Sequence, residues 1–327
     1  MNSPSSYRNK RFEIFLKAAL RLFLEGSAKV IDEIAFLFQL SQFSKKGADI
    51  SPPKTLEIAT SVQRVLVISA HADDEALGCF GAIAAYQRQG AVVDWIVVVD
   101  GRNATGGFTT PETMATLRKE EAREVAAAFN WNLVDWIGEK SPLVSSDALE
   151  KRLAEHVELL SPDIVYAPFS YNHHFEHRAV SVLAAKVVPA DVEMLFYAIQ
   201  TPLTPVFATT IFAQADVARL TYQALSFYRS QYFMSRSFRA AVALQCLEGA
   251  LYSTKVPTIS FCRVMSSQRV RIIEDLALSA EGSCPRKPNR MVSMTRDYQI
   301  LFKQASEVFL ALKLSKTEEG LACASGN

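Results

Sequence analysis

The sequence predicts an α/β fold in which a mostly parallel sheet carries helices on both faces. Short runs of β-branched residues alternate with helical patterns along the middle of the chain, which is typical of strand–helix–strand units. The 327 residues are 49% hydrophobic, enough to bury a sizeable core. Histidines and acidic residues follow two of the predicted strands, at the sheet edge where parallel α/β folds bind ligands.

The first segment, residues 1–54, is predicted to be an N-terminal helical extension followed by a linker. Apolar residues recur at helical spacing through residues 11–43 and are interrupted at Gly26-Ser27, so we expect a helical hairpin. Residues 44–54 contain three lysines and adjacent prolines, which indicates a linker.

The first helix of this hairpin is basic as well as amphipathic, with Lys17 and Arg21 among its apolar residues. Two interpretations stay open. A helix of this kind can lie on an anionic membrane surface, which would make the protein peripheral to a membrane. It can also pack on the folded domain or on a second subunit, as most amphipathic helices of soluble proteins do.

The second segment, residues 55–235, has the alternating pattern and is predicted to be the catalytic domain. Predicted strands cover residues 64–69, 92–99, 133–137, 164–167, 194–199 and 206–212. Predicted helices cover residues 75–88, 111–129 and 146–160. Helical crossovers of this length join parallel strands, so the domain is expected to be Rossmann-like.

The third segment, residues 236–327, is predicted to be a helical C-terminal extension packed on the domain. Helical patterns cover residues 219–228, 236–251 and 297–314, and residues 279–290 are rich in proline and basic residues, as in a loop.

Composition excludes several classes of protein. The net charge of +1 gives no general attraction to nucleic acid. Five scattered cysteines without C-x-x-C spacing argue against a disulfide framework or a thiolate zinc site. Charged residues interrupt the N-terminal apolar stretch, so neither a signal peptide nor a membrane span is expected. These features predict a cytoplasmic protein.

The first polar cluster is His71-Ala-Asp73-Asp74-Glu75, where the strand at residues 64–69 ends and its helix begins. Three acids behind a histidine concentrate negative charge, which a cation or a helix N-terminus would have to neutralise. For Glu75 alone, a place in the first turn of the helix is a sufficient explanation.

The second polar cluster follows the strand at residues 164–167. Three of the five histidines of the chain, His173, His174 and His177, fall within five positions there. The two clusters together offer two imidazoles and a carboxylate, the ligand set of a catalytic zinc site with an open position for water. Amide hydrolysis also needs a general base and an acid or oxyanion donor, for which Asp73 and His174 are candidates.

These clusters resemble the two motifs of the LmbE/PIG-L family of zinc-dependent N-acetylglucosaminyl deacetylases. The segment from His71 to Gly81 is similar to H-P-D-D-E-x-L-G-x-G-G, and the segment from His174 to Arg178 is similar to H-P-D-H-R. Further similarities to the family lie at Asp100-Gly101, at Arg118 and Glu121, and at Tyr228-Arg-Ser230-Gln231. The resemblance covers roughly residues 64–231.

The resemblance implies a role for individual residues. His71, Asp74 and His177 would bind Zn²⁺, Asp73 would be the general base, and His174 would be a second acid/base or oxyanion-stabilising group. Arg118 would contact the sugar or a phosphate. The chain departs from the motifs at four positions, Ala72, Phe80, Phe175 and Glu176, none of them an implied ligand. Phe80, in place of a glycine, is expected to reshape the floor of the pocket.

The function implied is removal of an acetyl group from an N-acetylated amino-sugar conjugate, with zinc activating water and Asp73 accepting its proton. Two alternatives remain open. His71-x-Asp73 with a distant histidine also fits the facial triad of non-haem iron oxygenases, although these normally have an antiparallel β fold. A non-catalytic sugar-binding protein could share the fold, although such a protein would be expected to lack a ligand or the base. The oligomeric state is not predictable.

Overall fold

A computed structural model of the protein describes residues 53–105, 107, 109–170, 172, 174–199, 207–264 and 269–283. The predicted N-terminal hairpin, most of its linker and the predicted helix over residues 297–314 lie outside the described residues. The membrane and packing interpretations of the first helix therefore stay predictions. Within the described ranges, no helix combines the length and the apolar character needed to cross a bilayer.

The described chain forms one eight-stranded sheet. Its strands are β1 (Lys54–Thr55), β2 (Arg64–Ser69), β3 (Val92–Val99), β4 (Asn132–Glu139), β5 (Ile164–Pro168), β6 (Glu193–Tyr197), β7 (Thr210–Ala213) and β8 (Thr258–Arg263). Their order is β1-β7-β8-β6-β5-β2-β3-β4. β8 runs antiparallel to β6 and β7, and the other described pairings are parallel. The predicted mostly parallel sheet is thus confirmed.

The helices follow the strands in the order expected of crossovers. They are α1 (Asp74–Gly78), α2 (Phe80–Arg88), α3 (Pro111–Phe129), α4 (Asp147–Leu160), α5 (Phe175–Val187), α6 (Val217–Leu225), α7 (Ser235–Leu251) and α8 (Arg269–Ser283), with a 3-10 helix at Arg229–Met234. The long helix α3 begins where a helix should, because Thr110 accepts a hydrogen bond from the backbone of Thr113 and Pro111 opens the first turn. The predicted helix over residues 75–88 is divided at Cys79 into α1 and α2.

Both faces of the central sheet are covered. Every residue of β5 is buried, as is every residue of β2 after Arg64. Because successive side chains of a strand point to opposite faces, complete burial requires helices or loops on each side. The central strands therefore read as continuous apolar runs rather than as alternating patterns.

The order of the strands creates a crevice at the carboxyl ends of β2 and β5. These two strands pair directly, with Val65 opposite Ile164 and Val67 opposite Tyr166. After β2 the chain proceeds to β3 and β4 on one side, whereas after β5 it proceeds to β6 on the other. Loops that leave neighbouring strands in opposite directions leave a gap between them, and doubly wound folds bind their ligands there.

β8 is a strand within residues 236–327, the predicted helical C-terminal extension. Residues 258–263 form a strand between β6 and β7, inside the sheet. Ile259 and Phe261 alternate with Ser260 and Cys262 along it, a strand-like pattern within an otherwise helical stretch. Its partners lie far away in the chain, so a local pattern could not show that it joins the sheet. The positions of the predicted domain boundaries stay a prediction.

Candidate metal centre and active site

The two polar clusters meet at the crevice between β2 and β5. His71 follows β2 by two residues, and α1 begins at Asp74. The backbone N–H of His71 donates to Asp74 Oδ2 at 2.8 Å, which ties the loop to the first turn of the helix. On the other side of the crevice, His174 occupies the N-cap position of α5 and His177 lies in the first turn of that helix. The ends of two neighbouring strands thus bring together side chains about a hundred residues apart.

Three of these side chains form a compact set of candidate ligands. His71 Nδ1 lies 3.3 Å from His177 Nε2, and His177 Nε2 lies 3.3 Å from Asp74 Oδ1. His71 Nδ1 is also 3.8 Å from Asp74 Oδ2. A tetrahedral zinc ion with bonds of about 2.0–2.1 Å separates its ligand atoms by roughly 3.3 Å. The three side chains therefore have the chemistry and the spacing that such an ion requires.

Glu176 determines which nitrogen of His71 is available to a metal. His71 Nε2 lies 2.7 Å from Glu176 Oε2, and the other oxygen of Glu176 accepts from the backbone N–H of Leu143 at 3.2 Å. A carboxylate only accepts hydrogen bonds, so His71 carries its proton on Nε2 and presents the lone pair of Nδ1 to Asp74 and His177. Carboxylates commonly orient metal-binding histidines in this way.

A second set of candidate ligands, His71 with His174 and Glu176, fits a metal less well. The 2.7 Å between His71 and Glu176 is a hydrogen-bond distance, shorter than the spacing of two ligands on one ion. We therefore assign Glu176 to support of His71. Among the described residues, neither set includes Asp73, which the iron-oxygenase alternative would need as a ligand.

Two acidic residues and one histidine at this centre have shifted pKa values. Burial alone would raise the pKa of Asp74, but the charge and hydrogen bond of His177, and the charge of His71, hold it well below its ordinary value. Burial likewise opposes ionisation of Glu176, and the hydrogen bond and charge of His71 outweigh it, lowering the pKa to about 2. Burial, with the nearby charges of His177 and His71, lowers the pKa of His174 to about 3. The centre thus favours the ionised forms of Asp74 and Glu176 beside a neutral His174.

Asp73 lies beside the candidate ligands in an unusual backbone conformation. Its φ of 123° falls in the region that favours glycine, and such conformations, which cost about 1–3 kcal/mol, persist only where neighbours enforce them. Two neighbours do so. Arg118 donates to Asp73 Oδ1 at 2.9 Å and to the carbonyl of Ala72, and the backbone N–H of Asp73 donates to Glu75 Oε2 at 3.1 Å. Burial raises the pKa of Asp73, and the charge of Arg118 opposes this.

Glu75 is more than an acid in the first turn of a helix. It is fully buried, and its second oxygen accepts a hydrogen bond from the hydroxyl of Tyr228. Burial raises the pKa of Glu75 to about 8, although the hydrogen bond from Tyr228 favours the charged form. Glu75 therefore connects the backbone of Asp73 to a segment that the chain reaches only 153 residues later.

One cavity of about 300 Å³ is lined by the three candidate ligands together with Asp73, Arg118, His174 and Glu176. Its walls also contain Leu77, Gly101, Asn103, Ala104, Ser141, Ile199 and Gln231. Gly101 has a φ of +65°, and a Cβ there would come within 2.8 Å of Arg118 Nε, so this position needs glycine. Phe80 does not line the cavity, contrary to expectation. It is fully buried and packs against Phe129 and Trp131 at centroid distances of 4.6 and 5.0 Å.

A family comparison matches the part of the chain that carries most of these residues. The profile of the family described as GlcNAc-PI de-N-acetylase, PIG-L, matches residues 66–188. The chain contains a PIG-L domain. The match includes most of β2, all of β3 to β5, both polar clusters and Arg118, whereas Tyr228 and Gln231 lie beyond it. A comparison with curated proteins gave no match.

Solved structures share the fold of the PIG-L domain. N,N'-diacetylchitobiose deacetylase from Pyrococcus horikoshii matches at 19% identity and a TM-score of 0.55, over 63% of this chain and 85% of that one. The 4-carboxy-2-hydroxymuconate hydratase GalB from Pseudomonas putida matches at 17% and 0.56, over 62% and 97%. The conserved protein TT1542 from Thermus thermophilus matches at 23% and 0.51, over 60% and 93%. A deacetylase and a hydratase thus share this fold, so the fold alone does not specify the reaction.

Several contacts around the cavity were not predicted from the sequence. Glu121 accepts hydrogen bonds from the backbone N–H and the hydroxyl of Ser230, at 2.6 and 2.7 Å. The similarity to the family drew attention to Glu121 and to the segment containing Ser230, but no pattern in the sequence shows that they meet. Arg118 was expected to contact substrate, and its hydrogen bonds in the structure go to Asp73 and Ala72. A direct contact of Arg118 with the sugar stays a prediction.

Replacing Glu176 is expected to weaken metal binding without removing a ligand. Glu176→Gln keeps an acceptor for His71 but loses the negative charge, and Glu176→Ala loses both. Mutation of a residue that hydrogen-bonds to a metal-binding histidine typically lowers metal affinity by about 10–100-fold. We expect the glutamine variant near the lower value and the alanine variant near the higher, measured by competition with a chromophoric chelator.

A matched control for this prediction is Glu248→Gln. Glu248 is also buried, but it lies on α7 and accepts a hydrogen bond from Ser260 at 2.7 Å. This variant should keep the wild-type metal affinity. Unchanged affinity in both variants of Glu176 would show that its carboxylate does not support a metal-binding histidine.

Proposed function

We propose that the protein is a zinc-dependent hydrolase that removes the acetyl group from an N-acetylglucosamine-type sugar conjugate. The observation that carries the proposal is the joint presence, in one cavity, of a His71–Asp74–His177 ligand set and an adjacent carboxylate, Asp73, outside that set. Amide hydrolysis needs both, because the metal must be held firmly while a separate group handles protons.

Zinc suits the three candidate ligands. Two imidazoles and one carboxylate form a common catalytic zinc set, and three protein ligands leave a position for water or substrate. Zinc in such a site acts as a Lewis acid that lowers the pKa of water and polarises a carbonyl group. His71, held by Glu176, would be the most firmly oriented of the ligands.

Asp73 would act as the general base. It accepts the proton of the water molecule that attacks the acetyl carbonyl, and its hydrogen bond from Arg118 fixes the carboxylate while that proton moves. Arg118 would thus be a positioning residue for the base. When the C–N bond breaks, the products are acetate and the free amine of the sugar.

His174 would serve the other end of the scissile bond. Its ring lies next to both candidate histidine ligands, with centroid distances of 5.1 Å to His71 and 4.7 Å to His177. Its side chain is 42% exposed, more than any of the candidate ligands, so a substrate can reach it. There its N–H would donate a hydrogen bond to the developing oxyanion, and it could supply a proton to the leaving nitrogen only after taking one up during the reaction.

The substrate class follows from three considerations. The matched family is described by de-N-acetylation of a GlcNAc conjugate, and one protein of the same fold is a deacetylase of an N-acetylated sugar. The cavity, about 300 Å³, is at the lower end of the range for small-molecule sites and would accommodate a single sugar ring. The remainder of the conjugate would then lie outside the cavity.

Hydration of a carbon–carbon double bond is the second candidate reaction, because the hydratase GalB has the same fold and a TM-score of 0.56. This reaction would also use activated water and a general base. An iron oxygenase would leave Asp74 and His174 without a role, and a non-catalytic protein would not need Asp73 beside the ligand set.

The test is a screen for acetate release from N-acetylated sugar conjugates by mass spectrometry. We expect the zinc-loaded protein to release acetate and free amine in equal amounts, a chelator to stop the reaction, and added zinc to restore it. Consumption of oxygen by the iron-loaded protein, without acetate release, would favour the oxygenase. Addition of water to an unsaturated acid without any acetate release would favour the hydratase. Binding of sugars without turnover would favour the non-catalytic alternative.

A further inference from the structure

Gln231 is a buried polar residue of the cavity wall with no role in the mechanism above. Its side chain has no exposed surface, yet it lines the same cavity as Asp73 and the candidate ligands. Its Oε1 has no hydrogen-bond partner among the described residues. Buried amide oxygens are nearly always paired, so an unpaired one in a cavity wall suggests a partner that arrives with the ligand.

The contacts of Gln231 fix the orientation of its amide group. Gln231 Nε2 lies 3.1 Å from Ser230 Oγ and 3.5 Å from Met114 Sδ. Ser230 has one hydroxyl hydrogen, which it donates to Glu121 Oε2 at 2.7 Å. Ser230 Oγ can then only accept from Gln231, and the thioether of Met114 is also only an acceptor. The NH₂ half of the amide must therefore face Ser230 and Met114, which leaves Oε1 as the free acceptor.

The position of Gln231 is as firmly determined as its orientation. Glu121 holds the preceding residue, Ser230, through both its backbone N–H and its hydroxyl. Met114 and Arg118 lie four residues apart on α3, so they share one face of that helix. Met114 contacts Gln231 and Arg118 contacts Asp73, which places Gln231 on the same wall of the cavity as the proposed base.

We propose that Gln231 is a specificity-determining residue whose Oε1 accepts a hydrogen bond from a hydroxyl group of the substrate. This inference rests on the proposed function, because the sugar is what carries a hydroxyl to the wall beside Asp73. A prepositioned acceptor gains a hydrogen bond from the correct substrate and is left buried and unpaired by an analogue without the donor. Sites built in this way discriminate against the analogue.

The experiment compares a p-nitrophenyl N-acetylglucosaminide with its 3-, 4- and 6-deoxy forms, using full-length zinc-loaded protein. For the wild type, we expect kcat/KM to fall by about tenfold to a hundredfold for one of the three deoxy compounds. Methionine has nearly the same length as glutamine but no amide oxygen. Gln231→Met should therefore lower kcat/KM for the full sugar by a similar factor, and its kcat/KM for that deoxy compound should be little lower still. Such non-additivity is the sign that the variant and the analogue remove one shared hydrogen bond.

A matched control is Gln223→Met, because Gln223 is an exposed glutamine of α6 whose amide oxygen accepts from Arg219. It should behave as wild type on every compound. The proposal would be overturned if the loss of kcat/KM caused by Gln231→Met and the loss caused by the deoxy substrate simply multiply when the two changes are combined. If Gln231→Met does not fold, the wild type alone decides, since fewer than threefold losses for all three deoxy compounds contradict a hydroxyl-reading acceptor.

Failure of the proposed function would be distinguishable from failure of this inference. Wild-type protein that releases acetate from the full sugar but shows no discrimination retains the function and contradicts the role of Gln231. Protein without acetate release contradicts the function, and calorimetric titration with the same four sugars then tests Gln231. The inference would be supported if the wild type binds one deoxy sugar more weakly than the full sugar and Gln231→Met binds the two equally. Equal binding of all four sugars, or no binding, would overturn it.

Discussion

Replacing Asp73 with asparagine is expected to leave metal binding intact while lowering kcat by about a hundredfold to ten-thousandfold, the range associated with loss of a general base. In the structure, Arg118 donates a hydrogen bond to Asp73 Oδ1 at 2.9 Å, and asparagine retains an oxygen that can accept it. It cannot accept a proton from water at neutral pH. Because Asp73 belongs to neither candidate ligand set, the metal content should not change. Elemental analysis and acetate release measure the two quantities on the same preparation.

The control for Asp73→Asn is the same substitution at Asp94. Asp94 is also buried, but it lies on β3 and accepts a hydrogen bond from Asn132 at 2.9 Å, away from the cavity. The Asp94 variant should keep wild-type turnover. An Asp73→Asn protein that turns over at the wild-type rate would rule out its role as the base. A parallel loss of metal would instead make Asp73 a ligand.

His177→Ala is expected to abolish metal binding and turnover together. His177 Nε2 is 3.3 Å from both of the other candidate ligand atoms, so its loss leaves only His71 and Asp74. Two protein ligands hold zinc poorly, and the remaining carboxylate and imidazole would be satisfied by water. After dialysis, we expect little metal per chain by elemental analysis and acetate release at the rate of the reaction without protein.

His156→Ala provides the matched histidine control. His156 lies on α4, and its Nε2 is 2.7 Å from Asp135. This variant removes an imidazole and a carboxylate contact without touching the crevice, so metal content and turnover should stay at wild-type values. Full metal occupancy in His177→Ala would show that the ion is held by other residues.

The convergence of the two polar clusters could be predicted because it depends on a general property of parallel sheets. His71 and His177 each follow a predicted strand, and carboxyl ends of parallel strands share one edge. That the two strands would be direct neighbours was not predictable, since the order of strands depends on pairings across the whole chain. It is this pairing that gives the 3.3 Å between the two imidazoles.

The supports of the site could not be predicted in the same way. Glu75 meets Tyr228 across 153 residues, and Glu121 meets Ser230 across 109. Their local sequence explains each of these acids equally well as a residue of a helix surface. Only the packing of the 3-10 helix region against α1 and α3 distinguishes a buried, hydrogen-bonded acid from an exposed one. The strand β8 was not predicted for a similar reason, because its neighbours in the sheet are distant in the chain.

The direct pairing of β2 with β5 has a consequence for how the protein would acquire the proposed ion. Backbone hydrogen bonds within a large sheet set the separation of the two histidine-bearing loops, so the binding pocket is preorganised in the apoprotein. Zinc fingers are different, since their chains are unfolded until the ion arrives. Here we expect the cation to exchange into a scaffold that is already complete. Removal of the ion would then be reversible, and the proposed activity would be lost and regained while the chain stays folded.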